Sequence, residues 1–225
     1  GVDADQDGVV NELTRGDITA ITLFQATLPV PAFVFPEHPE ARRAAERGQA
    51  LFAKTGCATC HMPVLPLYDP VFVEPNPYNP RWTYREAVGA QPYAIDLTEF
   101  GTGLRLQRDA DGVVWVPVFT DLKRHEMGSD LDNEKLAQAG VPTEEWLTRK
   151  LWGFASEPPF LHHGRATLIS EAVLAHGGEA QESRDAFAAL SAPDQAALVE
   201  FLKALQVISE DADSSLFSAR AIFER

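Results

Sequence analysis

The sequence predicts a mainly α-helical fold with long ordered loops and a small β-hairpin, and three observations lead there. An amphipathic segment, Glu40 to Lys54, sets Ala41, Ala44, Ala45, Leu51 and Phe52 against Arg42, Arg43, Glu46 and Arg47, the spacing of a half-buried helix. A second helical segment, Pro193 to Leu205, has proline near its first turn and Leu198, Phe201, Leu202 and Leu205 on one side. Between them the chain is rich in proline, glycine and aromatic residues, a pattern of turns rather than long regular elements.

The elements follow in order. Thr19 to Leu28 reads as a short helix ended by Pro29 and Pro31, and Pro36 and Pro39 set up the start of the Glu40–Lys54 helix. From Met62 to Gln91 the chain should wrap the surface as ordered loop, because Glu74-Pro75-Asn76-Pro77-Tyr78-Asn79-Pro80 cannot stay helical. Leu104 to Arg108 and Val113 to Val118 flank the turn sequence Asp109-Ala110-Asp111-Gly112 and predict the hairpin. Short helices are expected at Asn133 to Ala139 and Thr143 to Leu147. A further one, Ser170 to His176, stops at Gly177 and Gly178. The reading divides the chain into an N-terminal arm (1–38), a central domain (39–208) and a polar tail (209–225).

Composition narrows the function classes. The 225 residues suit one domain with an elaborated arm. The formal net charge of −14, from 33 acidic and 19 basic residues, would repel nucleic-acid phosphates, so no such partner is expected. Acidity suits docking to a basic redox partner, where charge raises the encounter rate; a merely solvated acidic surface is the plainer alternative. No run approaches the roughly 18 apolar residues of a membrane span, and no secretory leader is visible.

Both cysteines fall in one pentapeptide, Cys57-Ala58-Thr59-Cys60-His61. Two thiols three positions apart with an imidazole directly after them form the attachment pattern of c-type haem. Each thiol adds across a haem vinyl group to give a thioether, and the histidine is then held beneath the iron as proximal ligand. A redox dithiol would want a βαβ setting rather than a preceding helix. A zinc site would want further ligands, and no other cysteine exists. The expected cofactor is one covalent haem c. Since haem c is attached outside the cytoplasm, the expectation is an exported bacterial, periplasmic protein, read as a mature or trimmed product. A helix running into this motif, with a C-terminal helix packed near it, would make a cytochrome c-like haem domain.

The iron's sixth ligand decides the chemistry. Met62 adjoins His61 and cannot reach the opposite face of the ring, which leaves Met127 as the methionine candidate. His125 is its rival two positions away, and His162 and His163 are candidates for the haem surroundings. At the N-terminus, Asp3, Asp5, Asp7, Val9 and Asn11 occupy alternate positions around Gly8, as in the first part of a calcium loop. Thr14 stands where a full loop has its bidentate glutamate, and a solvated Asp-rich turn is the alternative.

Four stretches together resemble a known family. They are Gly56 to His61; Glu74 to Pro80; Phe119 to Gly128; and Leu151-Trp152-Gly153 through Phe160-Leu161-His162-His163-Gly164-Arg165-Ala166 to His176-Gly177-Gly178-Glu179-Ala180. The chain is similar to the C-terminal half of the bacterial di-haem oxidoreductases, also called thiol oxidoreductases. These are relatives of di-haem cytochrome c peroxidase and of the methylamine-utilisation di-haem enzyme. The resemblance implies a haem bound by Cys57 and Cys60, with His61 proximal and Met127 distal, relaying electrons to a redox partner or a second haem domain. It makes Arg149 and Arg165 candidates to neutralise the haem propionates, with surface ion pairing as the alternative, and Trp152 a candidate to pack on the ring edge. His163 departs from the aspartate usual at its position, and this chain has one CxxCH where the family carries two haems. The competing reading is a peroxidase or oxidoreductase with a reactive haem in this chain, His125, His162 or His163 handling protons.

Overall fold

The structure is a computed structural model that describes residues 3, 6, 8, 10, 13–28, 31–34, 36–76, 79, 91–100, 106–132 and 134–207. Its centre is a crossing of two helices, α2 (Pro39–Lys54) and α5 (Ala192–Ala204). α2 buries Ala45, Gly48, Leu51 and Phe52, one stripe at three- and four-residue spacing. α5 answers with Ala197, Leu198, Phe201 and Leu202. Gly48 sets how closely they approach: a Cβ there would lie 2.0 Å from the Ala197 carbonyl oxygen and 2.8 Å from the Phe201 Cβ. Ser191 caps α5 by accepting a hydrogen bond from the Asp194 N–H, and the Arg47 guanidinium pairs with the Asp194 carboxylate across the two helices.

Around this crossing Phe33, Phe52, Phe119 and Phe201 form one aromatic cluster, with ring centres 5.3–6.3 Å apart. Phe33 reaches it because β1 (Pro31–Phe33) pairs antiparallel with β8 (Leu205–Val207), the strand that continues directly from α5. Phe33 of the arm therefore belongs to the core. α1 (Arg15–Ala26), by contrast, buries none of its residues. It begins earlier than the sequence suggests, because Thr14 and Asp17 form a reciprocal capping box.

The rest of the regular structure is small. β2 (Leu65–Leu67) pairs with β5 (Val114–Val116), β3 (Val71–Glu74) with β4 (Tyr93–Asp96), and β6 (Arg124–Glu126) with β7 (Glu145–Leu147), all antiparallel. α3 (Ile169–Leu174) and α4 (Gln181–Ala188) precede α5. The described fold is thus mixed, five helices with two-stranded sheets, rather than mainly α.

Several expectations are corrected. The Asp109–Gly112 turn forms, with the Asp109 carboxylate accepting from the N–H groups of Asp111 and Val113. Among the described residues only Arg108 and Val114 bridge across it, while Val114–Val116 pairs on its other edge with Leu65–Leu67; residues 104 and 105 lie outside the described residues. No helix forms over 134–139, where Ala139 and Gly140 both take positive φ. The expected helix at Thr143 to Leu147 is instead strand β7, with Trp146 opposite His125. α4 was not anticipated. Residues 209–225, and residue 133, lie outside the described residues. No described helix is long and apolar enough to cross a membrane.

Candidate functional site

The cysteine motif sits at the C-terminal end of α2. Buried Thr55 closes the helix by donating to the Leu51 carbonyl, and Gly56 turns the chain with φ +84°, a conformation that favours glycine. Cys57–Thr59 then forms a single 3-10 turn, with Cys57 and Ala58 against the core. The two thiols are not joined to each other. Burial pushes the Cys57 thiol's pKa up. Burial, with the charges of Asp121 and Glu179, does the same to Cys60. Catalytic dithiols require the opposite shift, which a helix N-terminus or a cation supplies. Here burial outweighs the lowering groups, the Lys123 charge near Cys60 included.

His61 follows with its Nδ1 3.1 Å from the Phe119 carbonyl oxygen. A carbonyl only accepts, so Nδ1 carries the proton. Phe119 itself takes φ +51° to present that oxygen. Burial drives the His61 pKa down to about 4, against the raising effect of the backbone carbonyls. The ring is therefore neutral, with the lone pair on Nε2, the form in which imidazole binds a metal, its other nitrogen fixed by an outer partner.

Two rings lie with their centres 6.5 Å from that of His61: Phe52 of the core cluster, and His176, a residue that no sequence pattern marks as a ligand. The His61 and His176 rings meet at an interplanar angle of 54°. His176 closes α3, its Nδ1 donating to the Ala172 carbonyl at 2.8 Å, and burial lowers its pKa too. The only sequence signal was its place before Gly177-Gly178. Those glycines allow backbone to pack on backbone: a Cβ on Gly178 would lie 2.3 Å from the Glu126 carbonyl oxygen, and one on Gly177 3.0 Å from that of Met127. The Glu126–Gly128 segment and the His176–Glu179 turn are thereby clamped together. Met127 is buried, and its N–H donates to the Glu144 carbonyl.

His125 has both ring nitrogens occupied, Nδ1 by Glu179 at 2.8 Å and Nε2 by Asp121 at 2.9 Å. That leaves it no lone pair for iron. Both carboxylates accept, so both ring nitrogens donate and the ring is an imidazolium; its hydrogen bonds to Glu179 and then Asp121 raise its pKa. Burial raises the Asp121 carboxyl, but hydrogen bonds from the Lys123 N–H and His125 outweigh this and leave it below its ordinary range. The bond from His125 lowers Glu179 as well. Ligand atoms of Cys60, Asp121 and His125 lie within 4.8 Å of one another, so this charged cluster borders the attachment turn.

A pH dependence follows. Because the folded pKa of His125 is raised, its stabilising contribution is complete below the ordinary value of about 6.5 and is lost as pH rises through the folded value. The lowered Asp121 and Glu179 contribute above their ordinary values of about 4 and lose that contribution on acidification. Urea midpoints of wild type and His125→Gln should therefore differ most at or below about pH 6.5 and converge as pH rises through the folded value. A difference that stays constant over that range would show that His125 is not charged in the folded protein.

The other expected residues have different partners. His162 stacks on Trp146 with ring centres 3.7 Å apart, lies 4.3 Å from His163, and faces Glu134 at 3.6 Å. The His163 Nδ1 accepts from the Arg165 N–H at 3.3 Å, and the Arg165 guanidinium donates to the Asp130 carbonyl. Arg149 approaches His61 through its backbone carbonyl. The Trp152 indole N–H donates to the Pro117 carbonyl at 2.8 Å, with the Lys150 ammonium over its ring. At the N-terminus, the Asp3 carboxylate accepts from the Gln6 and Gly8 N–H groups; Asp5, Asp7, Val9 and Asn11 lie outside the described residues.

In comparisons with known proteins, no curated protein and no solved structure matches the chain. A family model matches residues 109–205, a span that holds His125, Met127, His162, His163 and His176 but not the cysteine motif. Over those residues the chain is similar to the family described as di-haem oxidoreductase, putative peroxidase.

Proposed function

We propose that the chain is a c-type haem electron-transfer module, the electron-relay part of a di-haem oxidoreductase. The observation that carries this reading is the Cys57–His61 turn, where two thiols flank a 3-10 turn and a neutral imidazole is oriented by the Phe119 carbonyl. The donor set fits haem: Cys57 and Cys60 would be the thioether attachments and His61 the proximal ligand. The haem, when bound, supplies a one-electron ferric–ferrous couple. The protein's own contribution is to fix the ligand ring, bury it, and carry charge close by.

Each group has a stated part. Phe119 holds His61 in one tautomer, and outer partners of this kind tune the metal through its ligand. The buried aromatic cluster lowers the local dielectric, which shapes the reduction potential. The His125 imidazolium, clamped by Asp121 and Glu179, places ionised groups beside the attachment turn without offering a ligand. The α2–α5 crossing supports a cytochrome c-like arrangement in which the attachment turn follows one of the crossed helices. The net charge of −14 suits a basic redox protein as partner, or a second haem domain, in the periplasm.

A redox titration followed by absorbance tests this. A single one-electron transition per chain, with no turnover of hydrogen peroxide, is the expected result. The family description, which includes peroxidase, favours a second reading in which this chain reacts with peroxide itself. A high-spin ferric spectrum together with peroxide turnover would establish that reading and overturn the first.

A further inference from the structure

We infer that His176 is the second axial ligand, so that the site is built for a bis-imidazole haem. The inference rests on the haem-binding reading above and deepens it. Met127, the ligand implied by family resemblance, is the competitor.

Two imidazoles trans to one another on a single iron, with metal–nitrogen bonds of about 2 Å, have ring centres about 6 Å apart. The His61 and His176 ring centres are 6.5 Å apart. Both rings are tied back in the same way. The His61 Nδ1 donates to the Phe119 carbonyl and the His176 Nδ1 to the Ala172 carbonyl, so each keeps its lone pair on Nε2. Such outer hydrogen bonds fix the tautomer and orientation of metal-bound histidines. The rings come from separate segments, His61 from the turn after α2 and His176 from the end of α3. The Gly177–Gly178 backbone, packed against Glu126–Gly128 with no room for a side chain, holds the second segment in place. His125, the other histidine near the attachment turn, has both nitrogens bonded to carboxylates.

The ligand pair also has a functional consequence. Histidine–methionine ligation raises the potential of a haem, and a second imidazole in place of methionine lowers it. The module would then be a lower-potential donor, suited to passing electrons towards a more oxidising haem or partner.

The test is spectroscopic and uses the full chain with its haem attached. Wild type should be low-spin in both oxidation states and should lack the long-wavelength charge-transfer band of a methionine–ferric iron bond. His176→Ala should become high-spin and recover the low-spin spectrum when imidazole is added, whereas Met127→Leu should keep the wild-type spectrum. His176→Met should gain the methionine band and shift the potential upwards. A methionine band in wild type that disappears in Met127→Leu would overturn the inference, as would a low-spin His176→Ala with an unchanged spectrum. If His176→Ala does not fold, the wild-type band and the His176→Met potential still decide between the two ligands. Failure of the underlying reading looks different, because no haem would then stay with the chain in denaturant.

Discussion

Replacing Gly48 with alanine should destabilise the protein by about 3 kcal/mol or more, and leucine at that position should prevent folding. Alanine gains about 1 kcal/mol in helix propensity over glycine, and at an exposed helical site that gain would dominate. At Gly48 it cannot, because the added Cβ would lie 2.0 Å from the Ala197 carbonyl oxygen and 2.6 Å from its carbon. Both contacts are with backbone, so no side-chain rotation relieves them. The helices must separate, and the contacts among Phe52, Phe201 and Leu198 loosen with them. Urea midpoints of wild type and Gly48→Ala measure the effect. An unchanged or higher midpoint would mean that α2 and α5 do not cross as closely as described.

The second large effect concerns the cofactor. The double replacement Cys57→Ala, Cys60→Ala should remove all haem that resists denaturant, as read by haem-dependent peroxidase staining of a denaturing gel. Each single replacement should leave one thioether and a weaker but present stain, because each thiol bonds its own vinyl group. His61→Ala should leave both thioethers possible and instead alter the spectrum, since it removes an iron ligand and not an attachment point. The three results together separate attachment from ligation. A stain undiminished in the double variant would contradict the role given to the two thiols.

The local features of the molecule were readable in its sequence because their causes are local. The Cys57–His61 pattern is complete within five residues. α2 and α5 carry their own start signals, Pro39 and Ser191-Ala192-Pro193, and their own apolar stripes. What was misread depends on partners far along the chain. Val114–Val116 seemed to belong to a hairpin with its neighbours, yet it pairs with Leu65–Leu67, which no short-range pattern reveals. Glu145-Trp146-Leu147 is too short to show a period, and pairing with Arg124–Glu126 decides its conformation. The importance of His176 is of the same kind. In the sequence it is a histidine at the end of a short helix. Only the fold brings its ring centre within 6.5 Å of that of His61, 115 positions earlier in the chain. Residue types alone left Met127 and His125 as rival ligands, and the two carboxylates on His125 became visible only with the turn at Glu179 in place.

The most direct test of the central claim is the intact mass of the protein, produced in a host able to attach haem c and measured under denaturing conditions. The expected mass is that of the chain plus one haem, with none at the mass of the bare chain. A mass equal to that of the bare chain, or lower by two hydrogens through a Cys57–Cys60 disulfide, would contradict it.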